Sequence, residues 1–201
     1  MEIHDEQEYI EENFDRIYIS NREIEGCRFI NCSFKYADFS ESQTFDCYFS
    51  ECDFTQANFN ASIHKNSAYL NSVFQGTRLF NTSFIQCKML GSSFEGIYSI
   101  GINIIEGDWS YVNLRHCDLK GASLRNVRFI EADLYGSNLD KADLHNADLT
   151  KAILDKASLF GANLCGANIN GVNFKNLNIR GAKIDISQAI IFAESYGAKV
   201  E

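Results

Sequence analysis

Large apolar residues recur at every fifth position through almost the whole of this sequence. Counted in both directions from Leu144, the series runs from Phe14 to Ile184 without a change of phase, and 32 of its 35 members are large and apolar. A second series, two residues earlier in each unit, is Ala, Ser, Thr, Cys, Gly or Val at 29 of 35 positions. Neither an α-helix nor a plain strand has a period of five. The period therefore indicates a repeat with one large and one small inward residue per unit.

Such a repeat fits a coil whose sides are short extended segments joined by turns. The three remaining residues of each unit would face water, and they are polar and tolerant of turns in units such as ADLHN, ADLTK, SNLDK and ANLCG. One coil buries little apolar surface, so successive coils must stack, with paired backbones about 4.8 Å apart.

The units ADLYG, ADLHN, ADLTK and ANLCG also match the consensus A-D/N-L-x-x of pentapeptide-repeat proteins, and the chain from about Phe14 to Ile184 resembles that family. The resemblance implies an all-β fold, a right-handed quadrilateral β-helix with four units, hence twenty residues, per coil. The 35 units would then make nearly nine coils and a rod about 40 Å long. We predict an acidic lead-in over residues 1–13, the β-helix over 14–186, and a short capping and dimerisation helix with its tail over 187–201.

Charges support a coil of twenty residues. Opposite charges at that spacing would lie one above the other and attract, and no like-charge pair occurs at that spacing between Phe14 and Ile184. At fifteen, the spacing of a three-sided coil, six like-charge pairs stand against two opposite ones. The opposite pairs at twenty are Asp15/Lys35, Lys88/Asp108, Glu95/Arg115, Asp108/Arg128, Lys120/Asp140, Arg128/Asp148, Glu131/Lys151 and Asp155/Lys175.

Six of the seven cysteines fall on the small inward series, and we interpret them as packing residues. We expect reduced thiols, although Cys27 over Cys47 and Cys32 over Cys52 would come within disulfide distance. Only Cys165 should face outward. No C-x-x-C pair is present and histidines and carboxylates lack ligand spacing, so we expect no metal and no cofactor. The six inward cysteines are Cys27, Cys32, Cys47, Cys52, Cys87 and Cys117.

His64 is the one histidine at a large inward position, and Thr44 lies twenty residues before it. A buried imidazole needs a hydrogen-bond partner, which Thr44 or the inward Ser62 could supply. We therefore interpret His64 as a satisfied core residue. The sequence shows no nucleophile elbow, no phosphate loop and no recognisable triad, and we expect neither catalytic residues nor enzymatic activity.

The stretch EGIYSIGINIIEGDW, residues 95–109, is irregular. Large side chains, Ile97 and Ile102, occupy two positions of the small series, while Ser99 occupies a position of the large series. We interpret this stretch as a volume-compensating exchange that bends one face.

Length and composition predict a soluble, cytoplasmic protein. The chain has 201 residues, 45% of them hydrophobic, enough for a sizeable core in one domain. No apolar run is long enough to span a bilayer, so we expect no membrane contact. The segment MEIHDEQEYIEE is acidic where a secretory signal would be basic and then apolar.

The five-residue pattern ends after Ile184, and DISQAIIFAESYGAK predicts a helix with Ser187 as N-cap and Gly197 as its stop. The Qnr/MfpA type of pentapeptide-repeat protein has a similar Q-A-x-x-x-x-E-x-x-G helix, matched here by Gln188, Ala189, Glu194 and Gly197. The resemblance implies that this helix caps the rod and joins two copies end to end. The candidate dimer contacts are Gln188, Ala189, Ile190, Ile191, Phe192 and Ala193.

Charge is concentrated near the amino terminus. Residues 1–60 carry 14 acids and four bases, whereas residues 61–201 carry 13 acids and 14 bases. This distribution argues against direct nucleic-acid binding. The net charge of −9 is well below the roughly 24 charges on 40 Å of duplex DNA, so a DNA mimic would have to imitate shape more than charge density. The candidate acidic partner surface is Asp38, Glu41, Asp46, Glu51 and Asp53.

Similarity to the Qnr/MfpA type implies a DNA mimic that binds type II topoisomerase, either DNA gyrase or topoisomerase IV, and protects it from quinolones or other gyrase poisons. The unbroken phase leaves no room for the projecting loops that many Qnr proteins carry. The alternative is a structural or adaptor pentapeptide-repeat protein that binds another protein through its flat faces.

Overall fold

The computed structural model describes residues 2–175 and 177–200. The chain forms a right-handed quadrilateral β-helix followed by one helix. Nine strands of three residues form two parallel sheets, in the orders β1-β3-β5-β7 and β2-β4-β6-β8-β9. The elements are β1 (Glu8–Ile10), β2 (Glu23–Glu25), β3 (Arg28–Ile30), β4 (Gln43–Phe45), β5 (Tyr48–Ser50), β6 (Ile63–Lys65), β7 (Ala68–Leu70), β8 (Ser83–Ile85), β9 (Asn103–Ile105) and α1 (Ile186–Ser195).

Each paired residue lies beside the residue twenty positions later, from Glu8 against Arg28 to Asn163 against Lys183. The predicted coil of twenty residues is thus confirmed. We name the four sides in chain order. Face A carries β1, β3, β5 and β7, face B the Asn13–Ser33 bridge, face C the Tyr18–Asp38 bridge, and face D the sheet that begins with β2. Beyond β9, isolated parallel bridges continue the ladders.

The corners between faces use a left-handed backbone. Residues at these corners have positive φ, for example 52° at Asn31, 54° at Glu51 and 49° at Asn71. Asparagine and glycine tolerate this conformation best, which explains why these two residue types are frequent at the corner position of each unit.

The core consists of columns of like residues. Phe29, Phe49 and Tyr69 stack on face A with ring centroids 4.8 and 4.6 Å apart. Leucines such as Leu144 replace the aromatic rings in the carboxy-terminal half and are fully buried. The six inward cysteines are buried, Cys165 is half-buried, and all seven thiols are free. Burial raises the pKa of Cys47, Cys52, Cys87 and Cys117 to about 12.

His64 is completely buried and fully hydrogen-bonded. Its Nδ1 lies 2.8 Å from Thr44 Oγ1, and its Nε2 lies 2.8 Å from Ser62 Oγ. The interpretation of a satisfied core histidine is confirmed. A third partner, the Tyr69 hydroxyl, lies 2.8 Å from Nδ1 and was not predicted.

The solenoid begins earlier than the sequence suggested. Strand β1 lies inside the predicted lead-in of residues 1–13, and its Tyr9 ring stacks 5.1 Å from that of Phe29. Ile3 is also buried. Tyr9 lies five residues before Phe14 and belongs to the same inward series, but its acidic neighbours made this repeat unit resemble a solvent-exposed segment. Residues 1 and 201, the ends of the predicted lead-in and tail, lie outside the described residues.

Two of the predicted vertical charge pairs are ion pairs, Asp108–Arg128 at 3.2 Å and Glu131–Lys151 at 3.5 Å. Lys35 and Arg115 do not pair with the acids below them. They reach diagonally to Asp53 at 3.2 Å and Asp133 at 2.8 Å in the coil above. Each aspartate lies two residues before the position directly above the basic residue, within reach of its long side chain. Exposed pairs of this kind contribute only about 0–1 kcal/mol each.

The irregular stretch 95–109 exchanges volume as predicted. Ile102 and Ser99 are both buried, and Ile97 packs against the core from a half-buried position. The Ser99 hydroxyl donates to the carbonyl of Asp118 at 2.7 Å, which satisfies a polar group where an apolar one usually lies.

Candidate functional surfaces

Face D carries an exposed acidic surface near the amino-terminal end of the rod. Glu23 and Glu25 flank the inward residue of β2, and carboxylates at the adjoining corners extend the cluster into the next coil. None of these carboxylates forms an ion pair with another described residue. We call this cluster the acidic face; it comprises Asp5, Glu6, Glu23, Glu25, Glu41 and Asp46.

The five acids proposed from the sequence do not share one side of the rod. They belong to one stretch of chain that runs around the coil: Asp38 lies on face C, Glu51 at the corner between faces A and B, and Asp53 on face B. Only Glu41 and Asp46 lie on the acidic face. A stretch of sixteen residues covers most of a twenty-residue coil, so neighbours in sequence point in different directions.

Asp38 and Asp53 are also engaged in local contacts. Asp38 accepts hydrogen bonds from the Ser40 amide at 3.0 Å and from Asn58 Nδ2 at 3.0 Å. Partial burial of Asp53 opposes its ionisation, but hydrogen bonds from Thr55 and the nearby Lys35 ammonium outweigh that effect and lower its pKa. These two carboxylates therefore serve the fold.

Sequence reasoning missed Asp5, Glu6, Glu23 and Glu25. Writing the sequence in rows of twenty places Asp5 below Glu25 and Glu6 in the same column as Asp46. The assumed start of the coil at Phe14 removed the first row from consideration. The structure joins the rows, and the Asp5 carboxylate accepts a hydrogen bond from the Glu25 amide at 3.0 Å.

Helix α1 closes the carboxy-terminal end. Its N-cap is Asp185, not Ser187, because the Asp185 carboxylate accepts the Gln188 amide at 3.0 Å while Gln188 Oε1 accepts the Asp185 amide at 3.0 Å. Ser187 instead donates its hydroxyl to Asp185 at 2.6 Å. The Ser187 hydroxyl and the amides of Gln188 and Gly166 together lower the pKa of Asp185 to about 2.

The predicted stop at Gly197 is confirmed. Its φ is 87°, and its amide donates to the Glu194 carbonyl at 2.9 Å. The Ala198 amide donates to the Ala193 carbonyl at 3.0 Å, which completes a Schellman motif.

Two of the six candidate dimer contacts face the helix's own solenoid. Gln188 is buried, and its Nε2 donates to the carbonyls of Leu164 and Ala167, the latter at 2.8 Å. Phe192 is buried against Phe174, with ring centroids 4.1 Å apart. These two side chains satisfy and cover the open edge of the last coil, so they are not available to a second copy.

The outer side of α1 is apolar and exposed. Ile190 and Ala189 face outward, while Ile191 and Ala193 are half-buried. The most exposed apolar residue there is Ile186, at 84%, which the sequence analysis left out because it placed the helix N-cap two residues later, at Ser187. Ile184 adjoins it. We call Ile184, Ile186, Ala189 and Ile190 the end surface.

The described residues contain no group of three or more His, Cys, Asp or Glu side chains that could hold a metal ion. The single described helix is too short to cross a membrane.

Comparison with known proteins agrees with this geometry. The family model described as Pentapeptide repeats matches residues 110–146, 128–164 and 157–185. The pentapeptide repeat protein MfpA of Mycobacterium tuberculosis is 35% identical over 98 residues, 49% of this chain and 54% of MfpA. The chain thus spans about half the length of the curated relative that it matches.

Solved structures of QnrB1, described as a plasmid-mediated fluoroquinolone resistance protein, superpose over nearly the whole chain. A trypsin-treated variant of QnrB1 has a TM-score of 0.88 at 23% identity and covers 98% of this chain and 99% of its own. Full-length QnrB1 has a TM-score of 0.83 at 21% identity, over 97% and 99%. At this identity the likeness establishes the fold. The five-residue repeat and the twenty-residue register give the chain the fold of QnrB1, and these matches make it similar to pentapeptide-repeat proteins of the Qnr/MfpA type.

Proposed function

We propose that this protein binds a type II topoisomerase, DNA gyrase or topoisomerase IV, as a mimic of DNA, and protects it from quinolones or other gyrase poisons. The resemblance to the Qnr/MfpA type implies this class of partner, and the likeness to QnrB1, described as a fluoroquinolone resistance protein, supports the link to quinolones. The observation that carries the proposal is the acidic face, because its six exposed carboxylates lie on one side of the solenoid and have no ion-pair partner among the described residues.

The geometry suits a surface that ordinarily holds a nucleic-acid backbone. Stacked coils lie about 4.8 Å apart, so the carboxylates repeat along the rod at a distance set by backbone pairing and not by flexible loops. A DNA-binding surface is basic and attracts regularly spaced negative charge. A rod with its acids fixed on one side presents that charge without reorganisation.

We include a homodimer in the proposal. The end surface exposes isoleucine and alanine side chains that the helix's own solenoid does not cover. Two copies joined there would lie end to end and place their acidic faces at the two outer ends of a longer rod. Such an arrangement offers a symmetric enzyme two equivalent contacts.

The test is a DNA supercoiling assay with gyrase, with and without a fluoroquinolone, repeated with topoisomerase IV. Rescue of supercoiling at near-stoichiometric protein supports the proposal. Glu23→Lys/Glu41→Lys on the acidic face should abolish rescue. Glu11→Lys/Glu51→Lys makes the same charge change at the opposite corner of the rod and should retain it. Equal loss in both pairs would point to net charge, not to the acidic face.

A second candidate is an adaptor that binds another protein through a flat face. The observation in its favour is an exposed apolar group on face C, formed by Phe80, Tyr98 and Ile100, which are 51%, 69% and 68% exposed. With Asn60 and Arg78 they line a shallow cleft of about 300 Å³. Inertness of the protein with both topoisomerases would favour this candidate.

A further inference from the structure

The backbone ladder is interrupted between two successive coils on faces C and D. On face C, bridges join Arg78 to Tyr98 and Asp118 to Asn138, yet none joins Tyr98 to Asp118. Face D shows the same interruption, because Asn103 pairs with Ser83 below and not with Ser123 above. We call this junction, between residues 96–106 and 115–125, the seam. It affects two faces, whereas the sequence analysis expected a bend on one.

Faces A and B continue without a break at the same level. Lys88, Asp108 and Arg128 form successive bridges on face A, and Ser93, Asn113 and Asp133 do so on face B. The Phe94 amide donates to the Asn113 carbonyl at 2.9 Å just before the seam, and the Trp109 amide donates to the Arg128 carbonyl at 2.7 Å just after it. One half of the coil is therefore paired and the other half is not.

Amides along the seam lack the partners that their equivalents have. In the coil above, the amides of Leu119, Gly121 and Leu124 each donate to the next coil at 2.8 Å. The corresponding amides of Ser99, Gly101 and Ile104 donate to no carbonyl of the coil above among the described residues.

One side-chain contact crosses the seam on face C. The Ser99 hydroxyl donates to the Asp118 carbonyl at 2.7 Å, in place of the missing amide. At this point the two coils are therefore separated by about the width of one hydroxyl group, which is too narrow for an inserted strand. A cleft of about 530 Å³ opens along it, lined on one side by residues 99–103 and on the other by residues 118–123.

The cause lies in the exchanged volumes of the irregular stretch. Ile97 and Ile102 occupy small inward positions, and Cys117 and Ala122 lie above them in the stack. An isoleucine at a place built for alanine or cysteine overpacks the layer and separates the coils locally. Ser99 leaves the central position of the face underfilled, so no large side chain draws the two coils together.

We propose that the seam is a hinge at which the rod bends or opens. The coils on either side are each held by ladders on four faces, whereas this junction is held by faces A and B and by the Ser99 hydroxyl. Local opening follows the weakest set of backbone hydrogen bonds. Among the described ladders, two adjacent faces lose their bridges together only at this junction, whereas the missing Ile153–Asn173 bridge affects face B alone. Faces A and B form the spine about which the halves rotate.

Amide hydrogen exchange in the full chain tests the first part of the proposal. The amides of Ser99, Gly101 and Ile104 should exchange at least about tenfold faster than those of Leu119, Gly121 and Leu124, since tenfold corresponds to about the free energy of one hydrogen bond. Equal protection of the two sets would overturn the hinge.

Spin-label distances test the motion itself. Labels at Ala61 and Lys141 lie at the corner between faces C and D and span the seam, whereas labels at Asn71 and Lys151 span the same number of coils at the corner between faces A and B. All four positions are exposed and have positive φ. We expect a broad distance distribution for the first pair and a narrow one for the second. Equal widths would contradict a hinge.

A variant that restores the repeat supplies the matched control. Ile97→Ala/Ser99→Leu/Ile102→Ala returns both units to one small and one large inward residue. It should close the ladder, protect the amide of residue 99, and narrow the 61–141 distribution. Unchanged exchange in a folded variant would show that the inward side chains do not cause the seam. If the variant does not fold, the comparison of the two label pairs in the otherwise unchanged protein still tests the hinge.

Discussion

Thr44 lies directly below His64 in the stack, and its hydroxyl oxygen is 2.8 Å from His64 Nδ1. Tyr69 and Ser62 complete the surroundings of the ring, each with a hydroxyl 2.8 Å from a ring nitrogen. A neutral imidazole has one donor and one acceptor nitrogen, so hydroxyl groups satisfy both. The solenoid thus contains a small polar network, closed on itself, inside an apolar column.

We expect His64→Phe to lower the free energy of unfolding by about 1–3 kcal/mol, because the Thr44 and Tyr69 hydroxyls lose a buried partner. Thr44→Val/His64→Phe/Tyr69→Phe removes the hydroxyls as well and should recover most of that loss. Urea denaturation of the variants measures both effects. If the triple variant is less stable than His64→Phe, packing around the ring, and not hydrogen bonding, determines the loss of unfolding free energy.

The same residue predicts a pH dependence. Burial lowers the pKa of His64 to about 3 from an ordinary value of 6.5. Between these values the unfolded chain binds a proton that the folded chain does not, so stability is full above pH 6.5 and falls as the pH drops. At pH 5 the loss is about 2 kcal/mol relative to neutral pH.

Thermal denaturation between pH 7.5 and pH 5 checks this slope. His64→Phe should lose this part of the pH dependence, and His116→Gln, at an exposed corner, should retain it. A slope that is the same in both variants would assign the dependence to other groups.

Periodicity predicted the interior of this protein well. The single phase of the five-residue repeat placed Leu144 and Phe74 in the core, and the spacing of twenty residues placed Thr44 below His64 from the sequence alone. It could not predict Tyr69 as a third partner, because the direction in which an inward ring tilts depends on its neighbours from other faces. The orientation of long charged side chains, such as Arg115, also depends on local reach and not on the repeat.

The two ends were predicted less well for a physical reason. A terminal coil has a neighbour on one side only, so its residues need not obey the repeat, and Tyr9 is accompanied by acids that resemble a solvated tail. At the other end, the capping hydrogen bonds of Asp185 decided the helix start, and Ser187 was an equally plausible cap by residue type. Four of the six residues of the acidic face were missed, and two of them, Asp5 and Glu6, were missed because they lie in that terminal coil.

Leu144→Lys should destabilise the rod severely, because Leu144 is completely buried in an apolar column. A buried, unpaired ammonium costs several kcal/mol, comparable with the roughly 5–15 kcal/mol that separates folded from unfolded proteins. His145→Lys places the same charge on the adjacent outward position and should have little effect. Melting temperatures by circular dichroism compare the two; a Leu144→Lys protein that melts like wild type would refute the inward assignment.

Gly107 is the glycine that the fold requires most strictly. Its φ is 100°, and a Cβ there would lie 2.3 Å from the Cys87 carbonyl oxygen of the coil below. Gly121 also has a positive φ, 67°, but a Cβ there would meet no atom within 4 Å. Gly121→Ala should therefore cost only the left-handed strain of about 1–2 kcal/mol. Gly107→Ala should cost clearly more, since backbone must move, and equal unfolding free energies would contradict that difference.

Mutations in α1 should separate capping of the solenoid from association of two copies, because different side chains perform the two tasks. Gln188→Ala removes the donor that satisfies the Leu164 and Ala167 carbonyls, and we expect a loss of about 1–3 kcal/mol for the orphaned groups. Ile186→Glu alters an 84% exposed side chain of the end surface and should leave the stability of the fold nearly unchanged.

Light scattering and urea denaturation on the intact protein, these two variants and a deletion give four results that the proposed dimer must satisfy. The intact protein should be a dimer, Ile186→Glu a folded monomer, and Gln188→Ala a less stable protein that still dimerises. Deletion of residues 188–201 removes both functions, so it should yield a monomer or an aggregate through the exposed last coil. A monomeric intact protein would remove the dimer from the proposed function while leaving the capping role of Gln188 in place, because that role depends only on contacts within one chain.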